Sequence, residues 1–480
     1  MKLSELSKEI EGELRGEDAE ITSLCVDSRV AGKGDLFFCF RGRESDSHFF
    51  AEETVKRGAS AIVCERALNI ACPQLIVSDG RAAMAQLSSA FYGHPERSMK
   101  FIGVTGTNGK TTVTHLIHSI LTAAGKRVGI IGTLGASYGD RNLAPTLTTP
   151  DPVQLFSLLA DMKKAGMEYV VMESSAHALA LGKEKPICYE VAIFTNLTQD
   201  HLDFFGNMKA YGEAKMGMFT PERCKFAVLN ADDSFSESLM KLGAPSVTYG
   251  LENPADCFAI IGEETLRGTR AVLNLSDELC ETEIALTGRH NVYNALAAAA
   301  CAQKLGIRLD CIARGIASLK RVDGRLERVA IFRGAEIFVD FAHTPDGLEK
   351  SLLALKEHCR GRLIIVFGCG GNRDKVKRPL MGETAAKHCD FAVITSDNPR
   401  FEDPCTIISE VEAGYQKVSD RYVAIEDRER AIEYAVNLLK KDDVLLVAGK
   451  GGETTQEIMG IKYSFTDKAV IETILRKQRS

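Results

Sequence analysis

A basic field is missing from this 480-residue sequence: 59 Lys and Arg stand against 65 Asp and Glu, for a formal charge of −6. That balance argues against a nucleic acid or an anionic membrane surface as its partner. Long apolar runs are missing too. No stretch approaches the roughly 18 apolar residues of a membrane span. The opening MKLSELSKEI EGELRGEDAE is too charged for the apolar core of a secretion signal. Fourteen cysteines are present but no C-x-x-C pair. They read as reduced thiols serving as small core residues, with Cys25, Cys39, Cys64, Cys301 and Cys311 in apolar surroundings. A cytoplasmic protein is expected.

Repeats, low-complexity tracts and long linkers are likewise absent. Hydrophobic content of 45% is enough for packed cores, and the length is too great for one of them, so about three domains are expected. Residues 1–97 alternate short apolar runs (DLFFCF, SAIVC, QLIVSD) with polar helical stretches and end in the Gly/Pro punctuation of FYGHPER. Residues 98–327 repeat the alternation with FIGVT, RVGIIG, YVVMES and VAIFTNL, and residues 328–480 with AEIFVDFAH, RLIIVFGCG, FAVITSD and DVLLVAGKG. The reading is an α/β protein: a small α/β unit, a central phosphate-loop unit on a parallel sheet, and a C-terminal Rossmann-like unit.

The chemistry begins at Gly103-Val-Thr-Gly-Thr-Asn-Gly-Lys110-Thr-Thr112, between a strand and the helix that runs from Thr111 to Gly125. In Gly106, Thr107, Asn108, Gly109, Lys110, Thr111 and Thr112 we read a phosphate cradle. Glycines let backbone N–H groups approach the phosphates, the helix N-terminus adds partial positive charge, Lys110 reaches the β- and γ-phosphates, and Thr111 offers Mg²⁺ a hydroxyl. Val104 stands where the strict phosphate-loop spacing has its first glycine. Glu173, at the end of the strand YVVME, is placed to complete a Mg²⁺ site, or is a salt partner at a helix start. His201 reads either as a structural histidine or as a ligand. Asn291 and Asn294 share a helix face and can offer amides to adenine, unless Asn291 is a helix cap.

Further segments follow in order: DSR (27–29), ESSAHAL (173–179), TNLTQDHLDFFG (195–206), GRHNVYNALAA (288–298), VDGRLE (322–327), DFAHTPDGL (340–348), GCGGNRDKVKRPLM (368–381), SDNPR (396–400) and GKGGE (449–453). With TGTNGKTT, this series resembles the Mur ligase family, which builds the peptidoglycan stem peptide, and covers nearly the whole chain. The resemblance implies an ATP-dependent, ADP-forming ligase that joins a carboxylate to an amine through an acyl-phosphate. It implies uridine-nucleotide binding by the first domain, ATP binding by the second and amino-acid binding by the third.

Residue by residue, the resemblance makes Lys110, Glu173, His201 and Lys215 catalytic. Thr111, Glu173, His201 and Lys215, the last as a carbamate, become the Mg²⁺ ligands. Arg325 is expected to reach the phosphates, and Asp340 to hold the ribose with His343 nearby; Phe341 replaces the usual tyrosine. Ser28 matches a contact to the uridine diphosphate, and Thr148, Thr149 and Ser175 match the muramoyl-dipeptide wall. Lys183 falls where an arginine more often faces a substrate carboxylate, which keeps the charge and loses the bidentate fork.

Asp397-Asn398-Pro399-Arg400 is similar to the signature of members that add meso-diaminopimelate, whose second carboxylate a guanidinium grips bidentately. On residues alone, Arg400 pairing with Glu402 or Asp403 stays open. Arg373, Gly449 and Glu453 match the remaining amino-acid contacts, with Gly452 in place of the usual histidine. The implied substrates are ATP, meso-diaminopimelate and UDP-N-acetylmuramoyl-L-alanyl-D-glutamate, with Mg²⁺ as cofactor and a monomer as the working form. Two alternatives are a lysine-adding member of the family and an inactive nucleotide-binding scaffold.

Overall fold

The structure, a computed structural model, describes residues 1–42 and 45–478. Its first sheet has five strands, Glu13–Arg15 (β1), Ser23–Cys25 (β2), Asp35–Phe38 (β3), Ala61–Cys64 (β4) and Gln74–Ile76 (β5), in the order β1-β5-β4-β3-β2. β2 to β5 are parallel, and β1 closes the edge antiparallel to β5. Alternate residues of β4 feed opposite faces. Ala61 and Val63 join Met84 and Leu87 of the helix Gly80–Phe91, while Ile62 and Cys64 join Ala51 of the helix Ala51–Lys56. A strand buried on both faces explains why AIVC reads as an unbroken apolar run.

The central sheet has eleven strands: Lys100–Thr105 (β6), Val128–Gly132 (β7), Gly135–Tyr138 (β8), Arg141–Leu143 (β9), Tyr169–Glu173 (β10), Tyr189–Phe194 (β11), Ala227–Asn230 (β12), Ser246–Gly250 (β13), Cys257–Thr265 (β14), Gly268–Leu275 (β15) and Glu278–Ile284 (β16). The run β7-β10-β6-β11-β12-β13-β14 is parallel. β8 and β9 turn back antiparallel at one edge, and β15 and β16 do so at the other. The expected parallel sheet is therefore mixed. β16 alternates buried Cys280, Thr282 and Ile284 with exposed residues, the pattern of antiparallel strands with one wet face. Their dry face packs on the helix Leu309–Ser318 through Ile312 and Ile316.

β6 lies between β10 and β11, with the helix Lys110–Ala123 behind it. That helix ends as the sequence suggests, with Gly125 in the left-handed region at φ 74°. It packs on the helix Arg289–Lys304, whose residues Ala297–Ala302 are wholly buried. Six small side chains in a row let the two helices approach closely.

The third sheet comprises Glu327–Phe332 (β17), Ala335–Asp340 (β18), Leu363–Phe367 (β19), Phe391–Ile394 (β20), Tyr422–Ala424 (β21) and Val444–Ala448 (β22), ordered β17-β18-β22-β19-β20-β21. All but β17 run parallel, and apolar clusters cover both faces, as a Rossmann-like unit requires. A hairpin, Thr455–Ile458 (β23) and Ile461–Ser464 (β24), stands beside Arg400, which bridges to Ile458. No helix among the described residues is long and apolar enough to cross a membrane.

The second and third units touch directly. Leu266, at the β14–β15 turn, packs against the core of the third sheet, and its carbonyl accepts from Thr287 Oγ1 at 2.8 Å. Asn108 Nδ2 of the phosphate loop donates to Asp346 at 2.8 Å. The Leu266 packing and the Asn108–Asp346 bond thus join the two units.

Candidate active site

The C-terminal ends of β6, β10 and β11 face those of β18 and β22 across a cavity of about 900 Å³. Ligands gather at strand C-termini in open α/β sheets, where loops leave the sheet and backbone groups are free. Residues 106–112, Thr148, Glu173, Ser175, His201, Lys215, Asn291, Asn294, Arg325, Asp340, His343, Arg373, Asp397, Asn398, Arg400, Gly449 and Glu453 all line it. Four expected site residues do not. Ser28 is half-buried in the first unit, Thr149 is buried behind Ser175, Lys183 pairs with Asp151 at 2.7 Å, and Pro399 lies outside the lining set.

The phosphate loop owes its shape to two glycines. Gly106 sits at φ 146° and Gly109 at φ 89°, and a Cβ on Gly109 would stand 2.6 Å from Asn294 Oδ1. Only glycine accepts both the backbone angle and the neighbour. Lys110 Nζ folds back onto the carbonyls of Gly106 and Thr107 at 2.9 and 2.8 Å. Burial pushes its pKa down, with Glu173 opposing. Thr111 Oγ1 accepts from Arg325 Nη2 at 2.8 Å, so this arginine does cross from the third unit's linker to the loop. Its guanidinium also lies 4.3 Å from the Phe341 ring centroid, where the aromatic face favours a cation.

Asn291 and Asn294 do share one face of their helix. Asn294 Nδ2 donates to Asn291 Oδ1 at 2.9 Å, and Asn291 Nδ2 to the Thr287 carbonyl at 2.8 Å. The helix cap is Gly288, which removes the capping reading of Asn291. Asp340 accepts from Ala342 N, Ser351 Oγ and Leu326 N, tying the end of β18 to the linker. Burial raises its pKa, against Leu326 and Arg325.

Glu173 is 1% exposed, and both its oxygens are held by one residue: Thr133 N donates to Oε1 at 2.8 Å and Thr133 Oγ1 to Oε2 at 3.0 Å. This carboxylate is no salt partner at a helix start; Ser175 caps the next helix. His201 adopts φ 56° and lies 3.3 Å from Asp200. Burial pushes its pKa down to about 3 despite Asp200, so the imidazole is neutral and its lone pair available to a metal. Lys215 is 1% exposed, 4.4 Å from the Tyr211 ring, and among the described residues no oxygen accepts a hydrogen bond from its Nζ. Burial, aided by the charge of Lys110, pushes its pKa well down. A carboxylate, a neutral imidazole and an amine that burial disfavours as ammonium make a donor set that fits Mg²⁺ once the amine is carboxylated.

Sequence reasoning passed over two residues here. Asp200 is 5% exposed and faces His201, His343 at 3.5 Å and Lys377 at 3.8 Å. Burial alone would raise its pKa, but His343, His201 and Lys377 hold it far below the carboxylate range. Its only signal was its place directly before His201. Thr133, the holder of Glu173, follows RVGIIG at a strand end, the one hint available.

On the third unit's side of the cavity, Arg400 takes a left-handed backbone (φ 52°), donates from Nη1 to the Gly371 carbonyl at 2.7 Å and stands 3.5 Å from Glu457. Pairing with Glu402 or Asp403 is excluded. Glu402 binds Arg378 and Lys375, and Asp403 caps its helix through Thr406. Glu453 Oε2 accepts from Asn398 Nδ2 at 2.9 Å and from the buried Lys450 at 2.8 Å. Gly449, at φ 112°, leaves room for Asp397, whose Oδ2 would lie 2.6 Å from any Cβ there. Cationic Arg400 and Arg373 and anionic Glu453 and Asp397 thus border one end of the cavity.

Residues 104–302 match the Mur ligase middle domain, and residues 324–451 match the domain described as "Mur ligase, glutamate ligase domain". The UDP-N-acetylmuramoyl-L-alanyl-D-glutamate--2,6-diaminopimelate ligase of Geobacillus thermodenitrificans is 44% identical over 97% of each chain. That of Caldanaerobacter subterraneus subsp. tengcongensis is 41% identical over 99% of each. A solved structure of a ligase with the same name has a TM-score of 0.67 at 32% identity, covering 96% of both chains. MurF from Acinetobacter baumannii shares the fold, with a TM-score of 0.67 at 21% identity over 99% of this chain and 97% of that one. The two matched domains and the named relatives are those of ATP-dependent acid–amino-acid ligases. The chain belongs to the Mur ligase family.

Proposed function

We propose that this chain joins meso-diaminopimelate to UDP-N-acetylmuramoyl-L-alanyl-D-glutamate at the expense of ATP, releasing ADP and phosphate during peptidoglycan synthesis. Residues 1–97 take the uridine nucleotide, 98–327 the ATP and 328–480 the amino acid, in a monomer working in the cytoplasm. The observation that carries the reading is that Arg400 and the Asn398-bound Glu453 both line the cavity. Diaminopimelate ends in a carboxylate and an ammonium, and that end of the cavity supplies guanidinium groups (Arg400, Arg373) and carboxylates (Glu453, Asp397). Lysine lacks the carboxylate and leaves Arg400 without its partner while still bringing an ammonium toward it.

In the reaction, the D-glutamate side-chain carboxylate attacks the γ-phosphorus and the bond to the ADP oxygen breaks. The diaminopimelate amine then attacks the acyl-phosphate carbonyl, loses a proton and expels phosphate. Lys110 exchanges its two loop carbonyls for phosphate oxygens, and Arg325 stands beside it on Thr111. Asn291 and Asn294 face adenine, and Asp340 and His343 lie on the ribose side. Thr148 and Ser175 line the muramoyl-dipeptide, with Thr149 behind Ser175 and Lys183 held by Asp151 at the same wall, and Ser28 meets the uridine diphosphate. Thr111, Glu173, His201 and carbamylated Lys215 would hold Mg²⁺, which when bound neutralises phosphate charge. Carbamylation adds CO₂ to the neutral amine of Lys215 and releases a proton, a step favoured by the burial of that amine.

The test is phosphate release with ATP, Mg²⁺ and the uridine-linked dipeptide, with meso-diaminopimelate and L-lysine supplied separately. Release with diaminopimelate alone supports the proposal. Release with lysine alone overturns the role of Arg400, and silence with both in a folded, ATP-binding sample favours a scaffold.

A further inference from the structure

A second group of metal-ligating atoms lies apart from the nucleotide site. Glu264, near the end of β14, meets Glu357 and His358, the two residues that follow the helix Pro345–Lys356, and one ligand atom from each lies within 4.8 Å of the others. Glu264 belongs to the central sheet, and the other two belong to the third unit. Glu264 Oε1 and His358 Nε2 are both sealed from solvent, and neither has a hydrogen-bond partner. Burying an unpaired polar atom costs about 1–3 kcal/mol, so two in one such cluster call for a partner.

The character of that partner follows from the donors. Two carboxylates and an imidazole repel one another's lone pairs, and no Lys or Arg among the described residues forms an ion pair with Glu264 or Glu357. The two third-unit ligands also stand at the carbonyl end of their helix, where the backbone adds partial negative charge. A water molecule would satisfy hydrogen bonds but leave this charge in place. A cation does both.

We propose that Glu264, Glu357 and His358 form a divalent-cation site, distinct from the nucleotide site, that ties the central sheet to the amino-acid unit. Two carboxylates with one imidazole suit a first-row ion such as Mn²⁺, with waters filling its remaining positions. Glu357 also borders the main cavity, so the ion sits at the rim of the crevice. Two residues along from Glu264, Leu266 wedges into the core of the third unit. An ion whose ligands come from both units stabilises the arrangement in which those ligands meet.

The test is a Mn²⁺ titration of the full chain followed by electron paramagnetic resonance of free Mn²⁺, in excess Mg²⁺ and without nucleotide. Mn²⁺ is chosen because the fourteen thiols prefer softer ions. We expect one Mn²⁺ per chain, retained in Glu173→Gln and weakened at least tenfold in Glu264→Gln and Glu357→Gln. Glu357 is exposed, so its replacement leaves the packing intact. Mn²⁺ should also raise the thermal midpoint of the parent chain and leave that of Glu264→Gln unchanged. No binding by the parent chain, or equal binding by the parent, Glu264→Gln and Glu357→Gln, overturns the site.

Discussion

Glu184 offers the most quantitative test of the electrostatics beneath the active site. It is 1% exposed, one residue beyond Lys183, and Ser174 Oγ donates to its Oε2 at 3.2 Å while its Oε1 has no partner. The same Ser174 hydroxyl lies 3.1 Å from the Tyr189 hydroxyl. Burial pushes the Glu184 pKa from its ordinary 4.5 up to about 7, against the opposing charge of Arg223. Below pH 4.5 the carboxyl is protonated in both folded and unfolded chains and contributes nothing. Between pH 4.5 and 7 the unfolded chain gives up its proton and the folded chain keeps it, so stability falls as pH rises. At 1.36 kcal/mol per pH unit the loss reaches about 3 kcal/mol above pH 7. Glu184→Gln keeps the shape, stays neutral and removes this loss. The variant should exceed the parent by about 3 kcal/mol at pH 8 and by about 1 kcal/mol at pH 5. For a domain of this size the pH 8 gain is roughly 6–12 °C in thermal midpoint, read by calorimetry at the two pH values. An equal gain at both, or a loss at pH 8, would refute the assignment of a neutral, burial-dominated carboxyl.

Other substitutions test the packing around the chemistry. Thr133→Val removes the 3.0 Å hydroxyl bond to Glu173 and leaves the 2.8 Å backbone bond. One charge-assisted bond is about 1.5–3 kcal/mol, so kcat should fall about 10–100-fold with little change in the KM for the amine; an unaltered kcat in steady-state kinetics counts against the positioning role. A side chain at Gly452 would bring Cβ to 2.9 Å from Leu134 Cδ2 and 3.2 Å from the Asp323 carbonyl. Gly452→His should therefore cost about 1–3 kcal/mol by overpacking, partly restored by Leu134→Ala; a double-mutant cycle in urea that shows no coupling argues against the contact. Arg428 and Asp467 form a bidentate pair at 2.7 and 2.8 Å with both side chains fully buried. Asp467→Asn should lose about 3–5 kcal/mol because it strands the guanidinium, and a loss under about 1 kcal/mol in the same assay contradicts that.

What could be read from sequence follows the range of the interaction that decides it. The phosphate loop was legible because strand, glycines, lysine and helix are contiguous, and each is needed by local backbone geometry. Gly125 stopped its helix for the same local reason. The doubly buried strands were legible as unbroken apolar runs. The antiparallel edges were not, since β15 and β16 alternate weakly and their pairing depends on which face the helix Leu309–Ser318 covers. The alternatives at Asn291 and Arg400 could not be decided from residue type, because competition among neighbours settles them: Gly288 takes the cap, and Arg378 with Lys375 takes Glu402.

The same logic explains why Asp200 and Thr133 were missed. A residue that works by holding another has no chemistry of its own to announce it. Asp200 draws its meaning from His343 and Lys377, which lie 143 and 177 positions further along the chain. Thr133 draws its meaning from Glu173, across the β7–β10 pairing. Arg325 reaches Thr111 over 214 positions, and only a resemblance could suggest that contact in advance. The ligands of a loop-based site are local, whereas the groups that set their charge and orientation are gathered by the fold. Of the two, the second set decides whether His201 is neutral and Glu173 is held still, and so whether residues of the right type become a site at all.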